Sequence, residues 1–189
     1  MAAKSTLKNM VLCLTLVCLV CSAVLAVIYA ITAEPIKTAA QKALAESIGR
    51  VLPEGGELYD ALSAEFAGQK YEYYVSTADG APAAYAVKSS TVGFGGPLTL
   101  MVGVLPDGSV YNTSVLSHSE TPGLGAKCNT DTKFMDPWTG LGPDKVIKVT
   151  KDGGDIDAIT ASTITSRAYS LAVSNAVAFV KSIVKAEEE

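Results

Sequence analysis

The chain has very little of what most catalytic and metal sites are built from. There is one histidine, His118, in 189 residues. Of four cysteines, Cys13, Cys18 and Cys21 fall in one apolar run and act there as small apolar fillers. That leaves Cys128 alone in the rest of the chain. One histidine and no cysteine cluster exclude a zinc site, and a solitary cysteine excludes an intrachain disulfide framework. The chain also lacks a basic patch. It carries 15 Lys and Arg against 19 Asp and Glu, a net charge of −4. Setting aside Lys4 and Lys8 at the amino terminus, 13 bases face the same 19 acids, which argues against nucleic-acid binding. There is no Gly-x-Ser-x-Gly elbow. "GFGGP" lacks the Gly-Lys-Ser/Thr ending of a P-loop, and "GLGAKC" has only two glycines of a dinucleotide fingerprint.

What the chain does have begins with residues 10–31, "MVLCLTLVCLVCSAVLAVIYAI", which contain no charge. At about 1.5 Å per residue such a helix covers roughly 33 Å, enough to cross a hydrocarbon core. The run is long for a signal peptide and reads as a retained anchor, although Ala26 and Ala30 leave a cleavage point open. Lys4 and Lys8 precede it, which predicts a cytoplasmic amino terminus and an extracytoplasmic remainder. With no ionisable group in the span, the segment is not expected to carry an ion itself.

Beyond it, Ile36, Ala39, Ala40, Ala43, Leu44, Ile48 and Leu52 keep helical spacing, predicting a helix that stops near Gly49 or Pro53. "LPEGGELYDALSAEFAG" reads as loop and a short helix. The runs "YEYYVST", "AAYAVKSST", "LTLMVGVL" and "SVYNTSVLS" are rich in β-branched and aromatic residues. The turn signals "ADGAP", "GFGGP" and "PDG" separate them, predicting antiparallel neighbours with a hairpin around Pro106-Asp107-Gly108. "KVIKVTKDGGDIDAIT" repeats the pattern with "DGG" as its turn. From Thr165 the period changes. Ala168, Ala172, Ala176 and Val180 form one row and Tyr169, Val173, Val177 and Val184 the next, predicting a carboxy-terminal helix that ends in an acidic tail.

Where that helix begins, the stretch "DAITASTITSRA" (157–168) carries five hydroxyls. Thr165 or Ser166 could be plain helix caps. A helix start also offers unpaired N–H groups and partial positive charge, a natural seat for phosphate. Spacing alone does not decide between these readings.

The stretch resembles the flavin-attachment motif of the FMN-binding subunits of Rnf electron-transport complexes and of the sodium-pumping NADH:quinone reductase. In that family an aspartate precedes a Ser/Thr-Gly-Ala-Ser/Thr core whose last hydroxyl is esterified to FMN. The resemblance places the acid at Asp157, the first core hydroxyl at Thr160 and the acceptor at Thr163. Ala161 stands where the family has glycine, and Ser162 where it has alanine. "SETPGLGAK" (119–127) resembles the family's Glu-Thr-Pro-Gly-Leu-Gly signature, "GFGGPLTLMVGVLPDG" its glycine-aromatic loop, and "STLKNMVLCL…YAITAEPI" its anchor. The compact length is similar to that of the Rnf G subunit rather than the larger C subunit of the quinone reductase.

The resemblance implies an α+β fold: a single transmembrane helix, then an FMN-binding domain of antiparallel sheet and flanking helices. Its segments are a cytoplasmic start (1–9), the span (10–31), a helical connector (32–70), the flavin domain (71–185) and an acidic tail (186–189). It implies an electron-carrying member of a bacterial plasma-membrane complex that couples ferredoxin–NAD electron transfer to Na⁺ or H⁺ movement. Covalent FMN on Thr163 would be installed from FAD by a separate flavin transferase. The phosphate is expected near Thr165 and Ser166, and the ring beside Glu120, Thr121, Gly123, Leu124 and Gly125. His118 and Lys127 read as ordinary structural or solvated residues. Trp138 could be core or a ring neighbour. The rival readings are the sibling C subunit of the sodium-translocating NADH:quinone reductase and a membrane-anchored binding module that never receives flavin.

Overall fold

The computed structural model describes residues 6–78 and 80–188. Lys4 and Glu189 lie outside the described residues, so the expectations placed on the first charge and on the last acid stay with the sequence. The chain divides into two compact units, residues 1–43 and 44–189.

Among the described residues, the first unit is helical from Leu7. Helix α1 (Leu7–Val51) starts there and ends in the second unit, running unbroken through Pro35. Its apolar side chains from Leu7 to Ile31 are exposed. By length and composition α1 can cross a membrane. Thr15 and Thr32 return their hydroxyls to the carbonyls of Val11 and Ile28, at 2.9 and 2.8 Å. These bonds let two hydroxyls sit in an apolar phase without an unmet donor.

The second unit is built on a six-stranded antiparallel sheet. Its strands are β1 (Glu57–Leu58), β2 (Leu62–Phe66), β3 (Gln69–Ala78), β4 (Ala81–Val92), β5 (Pro97–Val104) and β6 (Val110–His118). The order is β1-β3-β4-β5-β6, and β2 also pairs with β3. The predicted hairpin is present. Leu105 N–H donates to the Ser109 carbonyl, and Asp107 Oδ1 accepts from the Ser109 N–H at 2.8 Å. The expected loop and short helix before β3 are replaced by β1 and β2. These are short edge strands held by backbone pairing, Leu62 opposite Tyr73 and Ala64 opposite Tyr71. The helical part of the connector therefore ends at Val51.

Strand periodicity sends Tyr85, Val87, Leu98, Leu100, Val102 and Val104 to one sheet face. Helix α3 (Thr163–Glu188) covers that face with the rows its spacing predicts: Ala168, Ala172, Ala176 and Val180, and beside them Tyr169, Val173 and Val177. The opposite face, with Tyr74, Ala84, Ala86 and Met101, is covered by Ile48 and Val51 at the end of α1 and by Leu52. Burial from both sides explains why β4 and β5 read as nearly continuous apolar runs. A short helix, α2 (Thr132–Met135), brings Phe134 onto Tyr169, with ring centroids 5.1 Å apart. Trp138 lies fully buried against the same tyrosine, so it belongs to the core.

The "DGG" stretch does not form the expected hairpin. Residues Thr150–Asp152 make a 3₁₀ turn, and Val149 and Ile156 form a single parallel bridge.

Candidate functional site

The start of α3 is built around Ser166 rather than capped on its outside. Ser166 Oγ is fully buried, accepts the Ile159 N–H at 2.9 Å and donates to the Ser162 carbonyl at 3.0 Å. The Ser166 N–H makes the first i→i−4 bond, to the Ser162 carbonyl. The N–H groups of Thr163, Ile164 and Thr165 precede that bond and have no acceptor within the helix. Ser166 is thus held by the fold, and the donors left without a helix acceptor belong to the three residues before it.

Ala161 explains the family's glycine. Its φ is +61°, in the left-handed region where a Cβ meets the following carbonyl. Alanine tolerates this at a cost of about 1 kcal/mol. Ala161→Gly should therefore stabilise the protein by about 0.5–1 kcal/mol, less what glycine adds to the freedom of the unfolded chain. A urea titration of the detergent-solubilised protein checks this, and a lowered midpoint counts against it.

Three loops converge on this helix start. Glu120 is 6% exposed and joins them. Its Oε2 accepts the Thr165 hydroxyl at 2.8 Å, and its Oε1 accepts the Gly95 N–H at 3.3 Å. Its own N–H donates to His118 Nδ1 at 3.3 Å, which gives the histidine a structural part. Two glycines make the approach feasible. A Cβ on Gly95 would sit 2.1 Å from the Ser119 carbonyl oxygen, and one on Gly125 would sit 2.3 Å from Glu120 Oε2 and 2.7 Å from Thr165 Oγ1.

Between the loops lies a cleft of about 360 Å³, lined by Phe94, Glu120, Thr121, Leu124, Gly125 and residues 161–165. Phe94 (70% exposed), Leu124 and Ile164 give it apolar walls beside the hydroxyls of Thr163 and Thr121. That mix of apolar wall and few polar groups is what a flat, partly polar ring requires. Of the residues singled out by sequence, Glu120, Thr121, Leu124, Gly125, Ala161, Ser162, Thr163 and Thr165 meet at this cleft. Gly123 turns the loop behind it with φ +77°. Asp157 and Thr160 are exposed and do not line the cleft, and Asp157 Oδ1 instead accepts the Thr150 hydroxyl at 3.2 Å. Lys127 is not among the lining residues either.

Three contributors lie outside the residues singled out by sequence. Phe94 and Ile164 add wall, and Phe94 sits in the glycine-aromatic loop that the family motif already marks. Lys151 Nζ lies 3.4 Å from Thr163 Oγ1, twelve positions away in the chain. Next to it Asp152 takes two hydrogen bonds from Arg167, both at 2.6 Å, which hold the Asp152 carboxyl below its ordinary range. Because the folded value is depressed, this contact is present above the ordinary aspartate range. It is lost as the pH falls through the folded value.

Cys128 lies fully buried in the core. Burial, with a smaller push from Glu120, raises its thiol to about 11. Little thiolate then exists near neutrality. We expect Cys128 to resist maleimide in the native protein at pH 7 and to react once urea unfolds it. Native labelling at the denatured rate would contradict this.

Fold and cleft together define an FMN-binding-domain protein that follows a long apolar helix: the family model described as FMN-binding domain matches residues 93–178, and the RnfG N-terminal region matches residues 1–51. The chain belongs to the family of G subunits of ion-translocating oxidoreductase complexes. The G subunit of the ion-translocating oxidoreductase complex of Shewanella oneidensis is 36% identical, over 90% of this chain and 87% of that protein. The G subunit of the proton-translocating ferredoxin:NAD(+) oxidoreductase complex of Clostridium ljungdahlii is 32% identical, over 87% of this chain and 86% of its own length. Among solved structures, the C subunit of the Na(+)-translocating NADH-quinone reductase from Parabacteroides distasonis is 27% identical. That match covers 59% of this chain and 62% of the other, with a TM-score of 0.45.

Proposed function

We propose that the protein is the flavin-bearing electron carrier of a membrane-bound ion-translocating complex, with FMN esterified through its phosphate to Thr163. The observation that carries this is the position of Thr163. Its hydroxyl lines the cleft, at the first residue of α3, beside the Lys151 ammonium and the helix-start N–H groups that have no acceptor within the helix. FMN, when bound, supplies one- and two-electron transfer. The chain's own residues bind and orient. Phe94, Leu124 and Ile164 exclude water from a ring face, the N–H groups of residues 163–165 meet anionic oxygens, and Glu120 keeps the loops together.

Attachment follows a balanced exchange. The Thr163 Oγ1–P bond forms as the pyrophosphate bond of FAD breaks, AMP leaves, and the hydroxyl proton passes to solvent or to a base on a flavin transferase. A tether suits an extracytoplasmic domain, which cannot draw FMN from the cytoplasm. In this reading the amino terminus is cytoplasmic, α1 sits among the other subunits of an Rnf-type complex, and Na⁺ or H⁺ crosses elsewhere, since residues 10–31 hold no ionisable carboxylate or amine. Co-expression with a flavin transferase, then denaturing electrophoresis under ultraviolet light and peptide mass spectrometry, tests the proposal. A fluorescent band and one FMN on the peptide carrying Thr163 are expected. A dark band would instead support a binding module without flavin.

A further inference from the structure

We propose that Lys151 is the phosphate-pairing residue of this site, and that the Asp152–Arg167 ion pair is the latch that positions it. The inference rests on the Thr163 reading. The turn Thr150–Asp152 is fastened to α3 by the paired hydrogen bonds from Arg167 to Asp152, one helical turn beyond Thr163. The same turn delivers Lys151 Nζ to 3.4 Å from Thr163 Oγ1. The αL conformation of Gly153 ends the turn, and Gly154 packs where a Cβ would lie 2.1 Å from the Lys148 carbonyl oxygen, so the backbone of this segment has little room to shift.

The direction of the contact defines the role. The ammonium donates to Oγ1, so it does not take the hydroxyl proton and is not the base of the attachment step. It contributes charge. A phosphoryl group joined to Oγ1 places its anionic oxygens two bonds, through phosphorus, from the atom the ammonium already touches. Positive charge placed there favours the phosphoryl group in transfer and in the finished ester. Arg167 is spent on Asp152, and the cation with a hydrogen bond to Thr163 Oγ1 among the described residues is Lys151, which reaches it from beside the cleft. In a chain of net charge −4, one cation so placed also offsets a background that opposes an incoming FAD.

The test uses full-length protein in detergent with FAD, Mg²⁺ and a purified flavin transferase, following the covalent fluorescence over time. Lys151→Met should slow the initial rate by about tenfold or more, and Lys151→Arg should recover most of it. Asp152→Asn should give an intermediate rate. Lys151 is exposed, so the thermal midpoint of unlabelled Lys151→Met should match wild type. In fully labelled protein the ³¹P resonance of the ester should move on Lys151→Met and stay near wild type on Lys151→Arg. A wild-type rate with an unmoved ³¹P signal overturns the Lys151 role while leaving Thr163 in place, provided Thr163→Val stays dark. A slow rate accompanied by a lowered midpoint and no rescue by arginine also overturns it, as a folding effect. Labelling of Thr163→Val overturns both readings.

Discussion

Thr163→Val should abolish covalent flavin, leaving a dark band where wild type fluoresces, with the domain still folded. Valine keeps the branched shape of threonine and removes the one atom that can bond phosphorus. Thr163 is the first residue of α3, only partly buried, and its hydroxyl closes no helix cap. The cap belongs to Ser166 and to the Ser162 carbonyl, which the substitution leaves alone. The stability change should therefore stay within about 0.5 kcal/mol, the range of surface substitutions away from caps and cores. Thr163→Ser keeps a hydroxyl and should keep the label. The competitor is Ser162, which lines the same cleft, rather than Thr160, which lies outside it. Persistent fluorescence in Thr163→Val that disappears when Ser162→Ala is added would move the acceptor by one residue and refute the assignment to Thr163.

The parts legible in the sequence are those whose pattern is local. The uncharged run of α1, the apolar strand runs and the paired rows of α3 follow from periodicity and survive in the structure. Edge strand β1 is two residues long, and in β2 Leu62, Ala64 and Phe66 alternate with Ser63 and Glu65 over only five positions. Ala64 and Phe66 pack against the core and the strand pairs with β3, but an alternation this short, with an alanine and a half-exposed leucine in it, is easily read as loop or helix. In residues 145–157 the turn signal is real, but the flanks do not pair as a hairpin. Thr150 N–H reaches the Ile156 carbonyl, Ile156 N–H reaches the Lys148 carbonyl, and the segment closes as a parallel bridge. Family motifs named most of the cleft lining, but not the reason for each residue. The glycine requirement at the Ala161 position is a backbone angle, and Lys151 meets Thr163 only because an ion pair brings a distant turn to the helix.

Glu120→Ala should be the most damaging single change at the cleft to stability, costing about 2–3 kcal/mol. Two hydrogen bonds to a buried carboxylate are lost, each worth about 1.5–3 kcal/mol, against partial relief from returning that charge to water. The Thr165 hydroxyl, 1% exposed, and the Gly95 N–H are then left without their acceptor, and Gly125 packs against an empty space. For a unit of this size the thermal midpoint should fall by about 6–12 °C. Glu120→Gln fills the same volume and keeps one acceptor oxygen, so it should cost less than half as much. Neither variant touches Thr163 Oγ1, and both should still fluoresce after co-expression with the transferase. The visible absorption bands of the bound flavin should broaden in Glu120→Ala as the loop bearing Thr121 and Leu124 comes away from the helix. A wild-type midpoint together with unbroadened bands would mean that the three loops hold together without Glu120, and that the carboxylate is retained for something other than joining them.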